Sequence, residues 1–136
     1  MADALDFMKK ARAFALYGAT ADPGKYGYKL FSALRERYKV IPINPKRTEI
    51  EGVRCYPDLE AVGEEVDAVI LALAPEVTDK VVRGLIDKSP PLIWLPPMCF
   101  FEKTAIMLAE NNIDHLADVC PYGTLLQLKM TENQNG

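Results

Sequence analysis

Ala13-Phe-Ala-Leu-Tyr-Gly-Ala-Thr-Ala-Asp-Pro-Gly-Lys-Tyr-Gly27 is the stretch from which the rest of the chain takes its order. Its first five residues, Ala13 to Tyr17, are apolar and short enough for a buried strand. Gly18, Gly24 and Gly27 punctuate the loop that follows, and from about Lys25 a helical pattern begins. A strand that turns through glycines into a helix is suited to holding phosphate, because unpaired backbone N–H groups and the positive end of the helix dipole face the anion. Glycine lets the backbone come close without a Cβ in the way. The spacing differs from G-x-G-x-x-G, so the dinucleotide fingerprint is absent, and the turn is also compatible with a purely structural role.

Upstream, residues 3–12 read as a short helix with Leu5, Phe7 and Met8 available to pack. Downstream, Tyr28, Phe31, Leu34 and Tyr38 fall on one face of a helix over 26–38, leaving Lys29, Arg35, Glu36 and Lys39 in water. Val40-Ile-Pro-Ile43 is the second strand, and its Pro42 points to a strand that is near an edge or irregular. Asn44-Pro-Lys-Arg47 closes it as a turn. Thr48 to Gly52 reads as a loop, Val53 to Tyr56 as a short extended segment, and Asp58 as the cap of a brief helix over 59–62.

Val66-Asp-Ala-Val-Ile-Leu-Ala-Leu73 is the clearest strand, almost continuously apolar, as when helices cover both faces of a parallel sheet. Pro75 opens a helix with Val77, Val81, Leu85 and Ile86 as its apolar stripe. Leu92 to Leu95 is a fourth strand, and Pro96-Pro-Met-Cys-Phe100 an unusual loop after it. A helix follows from Glu102 to Asn112, with Ala105, Leu108 and Ala109 inward. Ile113 to Ala117 is a weaker fifth strand, Pro121 to Lys129 a last short helix, and the polar tail from about 131 is expected to fray.

Strands alternating with helices imply right-handed crossovers and a parallel sheet. The expected fold is α/β: a single Rossmann-like domain over residues 1–136, with a five-stranded, mainly parallel sheet, helices on both faces and strand order 3-2-1-4-5. Ligands of such sheets bind beyond the carboxyl ends of the strands, at the switch point beside strand 1. That rule gathers Gly18–Lys25, Asn44–Arg47, Leu73–Pro75 and Leu95–Phe100 around one crevice.

Composition narrows the function. The chain has 136 residues, 49% of them hydrophobic and 26% charged, as in an ordinary globular domain. A net charge of -3 argues against a general nucleic-acid binder. No apolar run approaches the ~20 residues of a membrane helix, and Met1-Ala-Asp-Ala-Leu-Asp6 lacks the pattern of a signal peptide, so the expected compartment is the cytoplasm. Cys55, Cys99 and Cys120 are too scattered for a zinc site or a disulfide framework.

The end of the second strand discriminates between nucleotides. NAD-binding domains usually place an acidic residue there for the ribose hydroxyls. Here stand Asn44, Pro45, Lys46 and Arg47, which favour a phosphorylated ribose, whether the 2′-phosphate of NADP or the 3′-phosphate of coenzyme A. Lys46 and Arg47 are equally consistent with a turn that is merely solvated.

Gly18-Ala-Thr20, Lys25-Tyr-Gly27, Val40-Ile-Pro-Ile-Asn-Pro-Lys46, Ile50-Glu-Gly52, Cys55-Tyr-Pro57 and Val66-Asp-Ala-Val69, in that order and spacing, resemble the single-domain CoA-binding proteins. These are similar to the CoA-binding domain of the succinyl-CoA synthetase alpha subunit and of ADP-forming acyl-CoA synthetases. The resemblance runs from about Phe14 to Pro121. It implies that Gly18, Ala19 and Thr20 cradle the CoA pyrophosphate, and that Lys25 and Tyr26 touch phosphate. Asn44, Pro45 and Lys46 would flank the adenosine, with Lys46 near its 3′-phosphate, while Leu73, Ala74 and Pro75 wall the adenine. Many relatives read W-x-Q-x-G after the fourth strand where this chain has Trp94-Leu-Pro-Pro-Met-Cys-Phe100. The phosphorylated histidine of the larger synthetases lies in a second domain with no counterpart in this sequence.

Catalytic motifs are not apparent. His115, the single histidine, has no neighbouring nucleophile motif, and no carboxylate pair or metal-ligand spacing stands out. Cys99 and Cys120 follow the fourth and fifth strands; either could form a mixed disulfide with the CoA thiol, although inert packing is the ordinary role of such residues. The reading is a CoA- or acyl-CoA-binding protein without a catalytic centre of its own. The alternatives are an NADP- or NAD-binding redox sensor or oxidoreductase component, and a detached subunit of an acyl-CoA synthetase. Partners would be the small molecule, a protein carrying synthetase domains, or a second copy of the chain through a sheet edge.

Overall fold

The computed structural model describes residues 3–135; Met1, Ala2 and Gly136, which the expected domain bounds include, lie outside them. Five strands, β1 (Ala13–Tyr17), β2 (Lys39–Ile43), β5 (Ala68–Leu71), β6 (Leu92–Leu95) and β7 (His115–Ala117), form one parallel sheet in the order β2-β1-β5-β6-β7. The helices are α1 (Ala4–Lys10), α2 (Tyr26–Leu34), α3 (Pro75–Leu85), α4 (Glu102–Glu110) and α5 (Pro121–Asn135). The expected α/β class, parallel sheet and double-sided helical cover are all present.

Period-two alternation divides the apolar strands between two cores. Phe14, Leu16, Ala68, Ile70, Leu92 and Trp94 pack against Met8 of α1, Leu30, Phe31 and Leu34 of α2, and Leu125 and Leu128 of α5. Ala15, Tyr17, Val69, Leu71, Ile93 and Leu95 face Val82 and Leu85 of α3 and Leu108 of α4. Both faces are dry, which is why these strands read as continuous apolar runs. Asp67 receives the Arg12 and Ala13 N–H groups at 2.7 and 2.9 Å, fixing where β1 enters the sheet.

The strand order corrects the sequence reading. Counting only the five sheet strands, it is 2-1-3-4-5 rather than 3-2-1-4-5. β5 is buried at all four positions and pairs with both β1 and β6, so it is the middle strand. β2 takes the edge, as Pro42 suggested, because proline has no N–H to offer a second neighbour. The switch point therefore lies between β1 and β5.

Three smaller corrections follow. Residues 48–52 are not simply loop: β3 (Glu49–Ile50) and β4 (Val53–Arg54) pair antiparallel. Glu51 and Gly52, at φ 52° and 78°, make the two-residue turn between them. The buried residues of α3 are Thr78, Asp79, Val82 and Leu85; of the expected stripe, Leu85 is in the core and Val81 packs against it in part, whereas Val77 stays exposed. The polar tail is helical through Asn135. Leu125 and Leu128 anchor α5, and Arg37 grips Glu132 through two hydrogen bonds of 2.6 and 2.8 Å.

Between α3 and α4, Asp79 accepts from Arg83 Nε at 2.8 Å and from Thr104 Oγ1 at 2.7 Å. These two donors, Arg83 foremost, hold its carboxyl below the ordinary carboxylate range. A depressed native value stabilises the fold above the unfolded pKa of about 3.9, and that contribution is lost as pH falls through the native value. Asp79→Asn should lower the urea midpoint at neutral pH and flatten its decline below about pH 4. Parallel acid limbs for the two proteins would assign the acid sensitivity to other carboxylates.

Candidate functional site

The β1–α2 turn is set by two close backbone approaches. Gly18 has φ +89°, and a methyl group there would overlap the carbonyl oxygen of Ala72, just beyond β5. A methyl group on Gly27 would overlap the carbonyl oxygen of Gly18, so the first turn of α2 rests directly on the loop. Between them, Thr20 Oγ1 accepts the Asp22 N–H at 3.2 Å and Asp22 Oδ1 accepts the Gly24 N–H at 3.0 Å. Lys25 precedes α2 without a side-chain cap, and no acidic residue occupies the first turn. That arrangement leaves the positive end of the helix dipole uncompensated.

Beside this turn, a cavity of about 640 Å³ opens at the switch point, within the size range of small-molecule sites. Tyr17 and Gly18 form one side, Ile43 to Lys46 the end of β2, and Leu73 the exit of β5. Residues 57–60, leading into a 3-10 turn at Glu60–Val62, close a third wall. Tyr17 holds that wall by accepting the Leu59 N–H at 3.0 Å, and burial keeps its phenol protonated above the usual range. The fourth wall is α3. Its Val77, Lys80, Val81, Gly84, Leu85 and Lys88, the last just past the helix end, recur at helical spacing and line the cavity along its length.

This explains the exposed end of the stripe. Val77 is 45% exposed although it belongs to an apolar row, because it faces the cavity. An apolar face left open in this way marks a binding surface. Among charged groups at the cavity, Glu60 is paired with Lys88 at 2.6 Å. Asp58 accepts the Ala61 N–H at 2.9 Å. Lys46 and Lys80 make no ion pair among the described residues.

Of the residues singled out in the sequence, Gly18, Asn44, Pro45, Lys46 and Leu73 line this cavity. Ala19 is buried, and its carbonyl accepts from Asn44 Nδ2 at 3.4 Å, tying the glycine turn to the end of β2. Thr20 and Lys25 lie on the β1–α2 loop outside the cavity lining, as do Ala74 and Pro75 at the start of α3. The single crevice expected from the sequence is thus divided: Leu95–Phe100 does not reach this cavity. Sequence reasoning missed Lys80, Tyr17 and the 57–60 wall. The α3 spacing carried the signal for Lys80, but an apolar stripe reads the same whether it meets a core or a ligand.

Beyond the ends of β6 and β7 lies a second group. Tyr26 Oη is 3.0 Å from Cys120 Sγ. Burial, that hydrogen bond and the nearby Cys99 thiol raise the Tyr26 pKa, so the phenol keeps its proton. Cys99 is buried, and burial pushes its thiol above the ordinary range. Counted from Trp94, the glycine of W-x-Q-x-G falls at Met98, which adopts a left-handed φ of 67° and is 90% exposed. A turn between Pro96 and Cys99, with the Cys99 N–H donating to the Pro96 carbonyl at 3.2 Å, imposes this strain. His115 bonds the Ile113 carbonyl at 2.8 Å, and the described residues contain no cluster able to hold a metal ion. None of their helices is long and apolar enough to cross a membrane.

Residues 12–125 match the family described as CoA binding domain. The chain belongs to that family. This CoA binding domain is 33% identical over 92 residues to the alpha subunit of ADP-forming acetate–CoA ligase II of Pyrococcus furiosus, covering 60% of this chain and 20% of the relative. It is 22% identical over 120 residues to YneT of Bacillus subtilis, covering 88% of this chain and 89% of that protein. A solved Pyrococcus horikoshii structure shares the fold, with a TM-score of 0.82 at 23% identity over 93% of this chain and 92% of that one. The chain spans a fifth or less of the acetate–CoA ligases that it matches.

Proposed function

We propose that this protein binds coenzyme A, free or acylated, across the carboxyl edge between β1 and β5. The observation that carries the reading is the cavity at the switch point, with its apolar walls and two lysines that make no ion pair among the described residues, directly beside the uncapped glycine turn. The apolar walls suit an adenine, Lys46 and Lys80 suit a ribose phosphate, and the N-terminus of α2 suits a pyrophosphate. Membership of the CoA binding domain family supports the same assignment. The acetate–CoA ligase relatives, of which this chain spans a fifth or less, extend the proposal: acyl-CoA chemistry would require a partner protein supplying the remaining synthetase segments.

Calorimetric titration of ligand-stripped protein with CoA, dephospho-CoA, NADP and NAD is the direct test. CoA should bind at least about tenfold more tightly than dephospho-CoA, a difference of ~1.4 kcal/mol. Binding confined to NADP or NAD would replace this reading with a redox one.

A further inference from the structure

Resting on the CoA reading, we propose that the ion pair of Glu60 and Lys88 reads the base of the ligand and selects adenine over purines with an oxygen at position 6. The cavity runs along α3 from Val77 to Lys88. The glycine turn stands at its Val77 end, since Gly18 abuts Ala72, two residues before the N-cap of α3. Lys80 and Lys88 are eight residues apart on the same wall, about 12 Å along the axis at ~1.5 Å per residue. A pyrophosphate on the turn and a ribose phosphate between Lys46 and Lys80 leave the stretch from Val81 to Lys88 for the base.

That stretch has the form of a slot for a planar ring. A Cβ at Gly84 would meet nothing within 4 Å, so the α3 wall is flat and open between Val81 and Leu85. Glycine weakens a helix interior, and no close contact demands it here; what it provides is the open space. The 57–60 wall adds Pro57 and Leu59 to the apolar lining.

The end of the slot is charged. Lys88 Nζ donates to Glu60 Oε1 at 2.6 Å, joining the end of α3 to the 57–60 wall. Among the described residues Glu60 Oε2 accepts no hydrogen bond and Lys88 donates no other. The pair therefore offers a free carboxylate oxygen beside free ammonium N–H groups. Adenine presents the complement, an amino donor at N6 beside a ring-nitrogen acceptor. A carbonyl at position 6 would instead turn its lone pairs towards the carboxylate, a repulsive contact that adds to the selection.

Calorimetric titration of ligand-stripped protein with adenosine 3′,5′-bisphosphate and inosine 3′,5′-bisphosphate, which differ only in the base, tests the assignment. The Lys88 and Glu60 side chains are 50% and 69% exposed, so water competes for both. The adenosine form should therefore bind about tenfold more tightly, well short of the ~10⁴-fold selection of a buried hydrogen-bonding site. In Glu60→Gln the amide can turn its NH₂ to an oxo group, so the two ligands should come within about twofold of each other. Glu64→Gln is the control: Glu64 pairs with Lys39 at 2.8 Å on the same crossover but does not line the cavity, and the ratio should stay as in the unaltered protein. Gly84→Leu, which fills the slot, should weaken both ligands at least about tenfold. Equal affinities in the unaltered protein, an unchanged ratio in Glu60→Gln, a ratio lost in Glu64→Gln as well, or undiminished binding by Gly84→Leu overturns the proposal. Those results leave the CoA reading standing as long as CoA still binds more tightly than dephospho-CoA. Binding of neither bisphosphate and no CoA overturns both.

Discussion

Gly18→Ala is expected to be the most damaging single methyl group in this protein. Gly18 combines a positive φ of +89° with a Cβ direction that points into the Ala72 carbonyl oxygen. The backbone conformation costs an L-residue about 1–2 kcal/mol, and overpacking against rigid backbone typically adds about 1–3 kcal/mol. Together these are a large fraction of the 5–15 kcal/mol that holds a typical domain folded. At roughly 4 °C per kcal/mol for a chain of this size, thermal denaturation should show a fall of about 10–20 °C. Gly27→Ala should follow it, since its methyl group meets the Gly18 carbonyl. Gly84→Ala is the internal contrast: a Cβ there meets nothing within 4 Å, and Gly84 is helical. It should gain about 0.5–1 kcal/mol from helix propensity. Equal effects at positions 18 and 84 would mean that the close approach at the switch point is not what demands glycine.

Lys46→Ala and Lys80→Ala are expected to produce the largest losses of binding. They stand on different walls, one on the turn after β2 and the other on α3, and no carboxylate among the described residues pairs with either. A hydrogen bond to a charged group is worth about 1.5–3 kcal/mol, so each variant should bind CoA about 10–100-fold more weakly. Dephospho-CoA should be affected less than about twofold, a bound chosen well below one tenfold step of 1.4 kcal/mol. If both amines grip the same phosphate, the double variant should depart from additivity by more than about 0.5 kcal/mol. Equal losses for the two ligands would remove the lysines from the ribose phosphate. Additive losses would place them on separate groups.

These two experiments probe features of different legibility. Gly18 and Gly27 stood out because a glycine-rich turn between an apolar pentapeptide and a helix has a local signature. The central strand was equally plain, since Ala68–Leu71 is apolar at every position. Lys46 was legible from its place at the end of the second strand. Lys80 was not, because a lysine in a helical row of valines looks like an ordinary boundary residue. The tail was misread for a related reason. Residues 131–135 carry little apolar signal, and their helix is held by Leu125 and Leu128 upstream and by a long-range Arg37–Glu132 pair.

By itself, the amino-acid sequence determined the alternation of strands and helices, the parallel sheet with two covered faces, the glycine turn and the family resemblance, because each is written in local periodicity or in residues close together in the chain. Only the tertiary structure decided the strand order, the separation along the carboxyl edge of the switch-point cavity from the Tyr26–Cys120 contact, and the exposure of Val77 on α3 to that cavity. Those features depend on which distant segments share a surface: Pro42 leaves β2 at the edge, β5 pairs on both sides, and Tyr26 meets Cys120 across 94 positions of chain. Such pairings are settled by packing between elements, and no local pattern of residue types specifies them.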